Sequence, residues 1–172
     1  MKETKLKIRV FGAAVLRKKA VAVNRITSEH REILNQMAQV MYEGAGIGLA
    51  APQVGISQQL IVVDIGEGLY KLINPKIIKK QGAQAISEGC LSVPGVCIKV
   101  KRAKRVWLEA KDENNQLLKI EASDLFACVL QHEIDHLKGK LIIDYASFIE
   151  KLRIKKKLKA LKTSVKTCKL QL

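Results

Sequence analysis

The chain has 172 residues, 48% of them hydrophobic and only 4% aromatic, with 31 Lys and Arg against 16 Asp and Glu for a net charge of +15. That length and apolar content suit one domain with a substantial core, and so few aromatic side chains exclude a base-stacking nucleic-acid platform. No run approaches ~18 apolar residues, the charged start from Met1 to Arg9 does not resemble a secretory signal, and Cys90, Cys97, Cys128 and Cys168 show no paired spacing. A soluble protein of a reducing compartment, without disulfides or membrane contact, is therefore expected.

Ser28 can cap a first helix, over which Ile33, Leu34, Met37, Val40 and Met41 recur at helical spacing until Gly44. His30 falls on its exposed side by pattern and is assigned no role. Gly44 to Gly55 follows, a Gly/Ala stretch read as too small in side chains for core and suited to close backbone approach by a ligand. Leu60 to Ile65 reads as a buried strand, and Lys71 to Lys80 as a second one interrupted by Pro75. Arg105 to Ala110 and Gln116 to Glu121 alternate in polarity around Asn114 and Asn115, which predicts a hairpin. Ser123 and Asp124 open a helix to about Gly139, with Leu125, Cys128, Val129, His132 and His136 on or beside one face. Ser147 with Glu150 is a capping box for the last helix, whose apolar stripe is Phe148, Leu152, Leu158, Leu161 and Val165.

The strongest chemical signal is His132-Glu133-Ile134-Asp135-His136. Histidines four apart on a helix point the same way and can grip one metal, while the intervening Glu reaches a water beside it. The long protease form of this motif needs a third His where Ile142 stands, and Glu150, the one Glu downstream, is committed to capping. Cys90, in Glu88-Gly89-Cys90-Leu91-Ser92, would complete a Cys/His/His set with an open fourth position. The plainer reading of Cys90 is a small buried hydrophobe.

Three separated motifs resemble those of the bacterial-type peptide deformylase family, in family order. They are Gly46-Ile47-Gly48-Leu49-Ala50-Ala51-Pro52-Gln53, then Glu88-Gly89-Cys90-Leu91-Ser92, then Gln131-His132-Glu133-Ile134-Asp135-His136, within a resemblance running from about Leu6 to Tyr145. The resemblance implies that Cys90, His132 and His136 bind one divalent metal with water or hydroxide as fourth ligand. It implies further that Glu133 moves the proton and that Gln53 and the backbone N–H of Leu91 stabilise the oxyanion. The reaction implied is hydrolysis of the N-formyl group from the N-terminal methionine of newly made polypeptides, with release of formate. Ferrous iron is the metal the resemblance favours; the donor types also accept Zn2+, Ni2+ or Co2+.

Substrate binding of this kind resembles strand addition, with Ile47 and Gly48 on one side and Gly89 opposite, and bulk at those glycines would obstruct it. The methionine pocket is expected to use Ile47, Ile86, Leu125, Cys128 and Val129. The resemblance departs at Cys97, where many bacterial members carry an arginine near the substrate backbone. The fold expected is α+β, with short, mostly antiparallel sheets around a central helix bearing His132 and His136, plus N-terminal and C-terminal helices. One domain is expected, residues 1–147 catalytic and 148–172 its basic C-terminal helix and tail.

From Phe148 onward nine basic residues, Lys151, Arg153, Lys155, Lys156, Lys157, Lys159, Lys162, Lys166 and Lys169, face one acid, Glu150, a net +8. Such a helix can dock on ribosomal RNA through phosphates, as the resemblance also implies, or be a solvated face. A monomer in the bacterial cytoplasm is expected. Two rival readings are a ribosome-binding protein with a merely structural metal and a metallopeptidase. Glu133 and Gln53, which a structural site would not need, speak against the first, and formate release would exclude the second.

Overall fold

A computed structural model describes residues 6–169, with side chains as far as Thr163. Val165, Lys166, Cys168 and Lys169, named above for the stripe, the charge and the thiol count, lie outside the described side chains. The chain forms α1 (Ser28–Glu43), β1 (Gly48–Ala50), a 3-10 turn (Ala51–Val54), β2 (Leu60–Val63), β3 (Tyr70–Gln81), β4 (Gln84–Glu88) and β5 (Ile98–Arg102). After these come β6 (Arg105–Lys111), β7 (Leu117–Ser123), α2 (Asp124–Leu137) and α3 (Phe148–Lys169). All pairings between the strands are antiparallel, in a five-stranded sheet of order β1-β2-β3-β6-β7 and a two-stranded sheet β4-β5. The α+β expectation holds.

β2 reads Leu-Ile-Val-Val because both its faces are covered. Leu60 and Val62 pack with Leu34, Met37 and Met41 of α1, while Ile61 and Val63 pack with Ala127, Leu130 and Ile134 of α2. A strand buried on both sides shows a continuous apolar run rather than alternation. Each of the large side chains so buried contributes about 1.5–3 kcal/mol relative to exposure. β1 is the outer strand on this edge, so the sheet ends where α1 and α2 both approach it.

Several expectations need correction. Thr27, not Ser28, is the N-cap of α1, because Thr27 keeps extended backbone angles and Ser28 is already helical. His30 is buried rather than exposed: its Nδ1 lies 2.8 Å from Thr27 Oγ1 and accepts from the Thr27 N–H at 3.2 Å, so it closes the cap. The Gly/Ala stretch does contribute core, since Leu49, Ala50, Ala51 and Val54 are fully covered. Pro75 does not interrupt β3. Asn74 takes a left-handed φ of 53° and its carboxamide bonds both the N–H and the C=O of Val23 at 2.8 Å. The register against β6 shifts between Ile73 and Lys76, so the proline sits in a bulge where no ladder donor is needed. The hairpin β6–β7 forms as expected, turned by Asp112 Oδ1, which accepts from Asn114 and Gln116, and by Asn115 at φ 65°.

The apolar stripe of α3 is also different. Phe148 and Leu152 are 76% and 54% exposed, and the residues that seat the helix are Ile154, Leu158 and Leu161, packed on Leu16, Val93, Ile98 and Ile142. Lys157 Nζ donates to Gly95 O at 2.7 Å and Lys162 lies over the Phe11 ring. The capping box stands as expected, Ser147 N–H and Oγ donating to Glu150 Oε2 and Glu150 N–H to Ser147 Oγ. Among the described residues no helix is long and apolar enough to cross a membrane.

Candidate active site

Three elements meet at one cavity of about 370 Å³. α2 brings His132 and Glu133 with Leu125, Cys128 and Val129 one or two turns earlier. β1, with the residue before it and the 3-10 turn after it, brings Ile47, Gly48 and Gln53, and β4 with the turn after it brings Ile86, Glu88, Gly89, Cys90 and Leu91. Every site residue named from the sequence lines this cavity except His136, which stands behind His132 with its Nε2 3.2 Å from that of His132. Among the described residues β1 is a sheet edge and β4 pairs with β5 alone, so both present an unpaired strand edge.

Cys90 Sγ lies 3.2 Å from His136 Nε2, and the Cys90, His132 and His136 donor atoms all fall within 4.8 Å of one another. Four-coordinate sites with bonds of about 2.0–2.3 Å place their donors roughly 3.3–3.8 Å apart, so this spacing fits one ion. The electrostatics fit as well. Burial opposes charge on His132, yet hydrogen bonds with Cys90 and Glu88 outweigh it and lift the imidazole to about 10. His136 goes the other way, lowered by burial and by the positive charge of His132. A proton held on His132 would leave when a divalent ion takes that ring as a ligand. No ligand set from elsewhere in the described residues comes together in this way.

Glu133 is buried, and its Oε2 has no hydrogen-bond partner among the described residues. Burial pushes its carboxyl up, His132 pulls it back, and the balance stands at about 7, a value suited to taking and returning a proton at neutral pH. Its room comes from Gly48: a Cβ there would fall on the Glu133 carboxylate and 2.8 Å from Val129. At Gly48, bulk would therefore displace Glu133 as well as stand in the way of a strand pairing there. At Gly89 a Cβ meets only Cys97 Sγ, at an ordinary 3.9 Å. Cys97 itself is exposed.

Gln53 is 1% exposed, so it is not a surface polar residue. Its Oε1 accepts from the Ala50 N–H at 2.8 Å, which settles the orientation of the carboxamide and turns the Nε2 donor toward Ser92 Oγ at 3.3 Å and Cys90 Sγ at 3.6 Å.

The supporting shell was not read from the sequence. Glu88 Oε2 meets His132 Nδ1 at 2.9 Å, and Arg102 clamps Glu88 with Nε to Oε1 at 2.7 Å and Nη2 to Oε2 at 2.9 Å. Burial would raise the Glu88 carboxyl, but hydrogen bonds from Arg102 and His132 hold it at about 2, so it stays an anion facing the ring. Burial opposes the charge on the Arg102 guanidinium, but its hydrogen bonds to Glu88 and Asp135 outweigh this and raise it above its ordinary range. A signal was available: Ile98, Val100 and Arg102 share the covered face of β5 while Lys99 and Lys101 point out, so Arg102 is a charge at an inward position.

The chain matches the family model described as polypeptide deformylase over residues 5–152. It is 54% identical over 140 residues to the peptide deformylase of Syntrophomonas wolfei, covering 80% of this chain and 92% of that one. Against the peptide deformylase of Thermoanaerobacter pseudethanolicus the identity is 50% over 139 residues, covering 81% and 87%. Among solved structures, the peptide deformylase from Synechococcus elongatus in complex with actinonin superposes with a TM-score of 0.86 at 43% identity, over 91% of this chain and 88% of that one.

Proposed function

The chain belongs to the polypeptide deformylase family, and on that premise we propose that Cys90, His132 and His136 hold its divalent metal while Glu133 moves the proton. The protein is a hydrolase that removes the N-formyl group from the N-terminal methionine of newly synthesised polypeptides and releases formate. The observation that carries the assignment is the meeting of the three sequence motifs at one cavity with Cys90, His132 and His136 donors inside 4.8 Å.

When bound, the ion supplies the Lewis acidity that lets water act as a nucleophile near neutral pH. Glu133 takes a proton from the attacking water and delivers it to the amine nitrogen as the C–N bond of the formamide breaks, leaving formate and a free amino terminus. Gln53 Nε2 and the Leu91 N–H donate where negative charge develops on the formyl oxygen. The edges of β1 at Ile47 and Gly48 and of β4 at Gly89 suit pairing with an extended peptide, and Ile47, Ile86, Leu125, Cys128 and Val129 form the wall for its methionine. Ferrous iron is the metal proposed; Zn2+, Ni2+ and Co2+ suit the same donors. Residues 6–147 with α3 form one unit, since α3 is seated on the core through Ile154, Leu158 and Leu161. Its outer lysines support docking on ribosomal RNA in the bacterial cytoplasm.

The test is formate release from formyl-methionyl-alanyl-serine by protein prepared without oxygen and loaded with ferrous iron or nickel. Glu133→Ala is expected to keep the metal and lose at least ~100-fold in kcat, while Cys90→Ala loses the metal. A Glu133→Ala protein as active as the parent would end the assignment of the base.

A further inference from the structure

We infer that Asp135 is a positioning residue for the ligand His132, acting through the Arg102 guanidinium and the Glu88 carboxylate. The inference rests on the reading of Cys90, His132 and His136 as metal ligands and goes one step outward from it. Asp135 stands inside the His132–His136 motif, yet its carboxylate takes no part in the donor cluster. It turns instead to the far side of Arg102, where its Oδ2 accepts from Arg102 Nη1 and from the Tyr145 hydroxyl at 2.7 Å. The Tyr145 ring lies 5.0 Å from the guanidinium and covers it. Arg102 and Asp135 side chains are 5% and 15% exposed, so this is a pair largely removed from water.

The guanidinium is planar, and its donors are fixed relative to one another. Two of them grip Glu88 and one grips Asp135, so holding Asp135 fixes the plane in which Glu88 is presented to His132 Nδ1. The charges lead to the same place. Two carboxylates share one guanidinium, which leaves one net negative charge, and the end of the network nearest the donor cluster is Glu88. Without the Asp135 charge, Arg102 would match Glu88 one for one. Glu88 would then accept more weakly from the His132 N–H, and the ring would be a poorer and less fixed donor. Partners one bond removed from a ligand typically change metal affinity by ~10–100-fold, so a group two bonds further out is expected to change it by about 5–10-fold.

The experiment is competition for Co2+ between a chromophoric chelator and the full chain, for the parent, Asp135→Asn, Asp135→Glu, Glu88→Gln and the Asp135→Asn/Glu88→Gln double variant, with the visible spectrum of the bound cobalt recorded alongside. The expected results are a ~5–10-fold loss for Asp135→Asn with a shifted cobalt spectrum, and a larger loss for Glu88→Gln. The double variant should be no weaker than Glu88→Gln, since Asp135 acts only through Glu88. Asp135→Glu, which keeps the charge, should recover most of the affinity. Equal losses in Asp135→Asn and Asp135→Glu, losses that multiply in the double variant, or parental affinity in Asp135→Asn would each overturn the inference. A parent that fails to bind one equivalent, or a Cys90→Ala variant that binds as tightly as the parent, would instead sink the ligand assignment beneath it.

Discussion

At the scale of single residues, the site depends on where side chains are missing as much as on where they stand. Gly48 has an ordinary backbone conformation, so what forbids a side chain there is space, and the space is that of the Glu133 carboxylate. Gly48→Ala should therefore lower kcat by ~100-fold, the order of a displaced general base, while metal content and KM change little; steady-state kinetics with metal analysis separates the two effects. Gln53 permits a cleaner substitution. Gln53→Glu keeps an oxygen for the Ala50 N–H but removes the donor turned toward Cys90. A loss of ~10²–10³ in kcat with the fold intact is expected if Gln53 stabilises the oxyanion, in line with the removal of one such donor elsewhere. Retained kcat would leave Gln53 a structural cap only.

At the scale of elements, polar links supplement the apolar packing, one of them between residues far apart in the chain. Asp144 joins the short 3-10 turn Ile142–Tyr145 to the 3-10 turn Ala14–Arg17 by accepting from Arg17 and from the Leu141 N–H. Burial would raise its carboxyl, but the Arg17 and Leu141 hydrogen bonds outweigh that and hold it below its ordinary value of 3.8. A folded value below the unfolded one means the stabilisation is fully present above about pH 4 and is lost as pH falls through the lowered folded value. Asp144→Asn should therefore flatten the acid limb of stability against pH, read by urea denaturation between pH 3 and pH 7, and leave the slope elsewhere unchanged. The cap of α1 gives a second test. Thr27→Ala is expected to cost about 1 kcal/mol, and His30→Ala to add little in that background, because both belong to one capping box.

At the scale of the whole molecule, α3 is divided lengthwise between a face that packs and a face that does not. Ile154, Leu158 and Leu161 hold it on Leu16, Val93, Ile98 and Ile142, and Lys155, Lys156 and Lys159 remain exposed. If α3 docks on ribosomal RNA as proposed, reversing those lysines to Glu should weaken attachment to ribosomes by at least ~10-fold near 100 mM salt and reduce its salt dependence, while kcat/KM on a free formyl tripeptide stays within about twofold of the parent. Loss of tripeptide activity in the same variant would mean that the helix supports the fold rather than a partner.

Much of this protein could be read from its sequence, for reasons that are local. Helical spacing placed His132 and His136 on one face, the period of two placed the β6–β7 hairpin, and the Ser147–Glu150 box placed the start of α3, because each depends on residues within a turn or two of one another. The motifs around Gln53, Cys90 and Glu133 were legible for the same reason, being short and contiguous. What only the tertiary structure decided involves partners far apart in the chain. His30 is buried and not exposed, Gly48 is empty for the sake of Glu133, and Phe148 lies outside while Ile154 lies inside. Glu88, Arg102, Asp135 and Tyr145 form one network behind His132, from two strands, a helix and a turn. The physical reason is the same in each case: burial and charge pairing are set by which surfaces close on one another. The alternation in β5 marks Arg102 as an inward charge, but Glu88 and Asp135, which meet it, come from other elements, and nothing local shows that pairing.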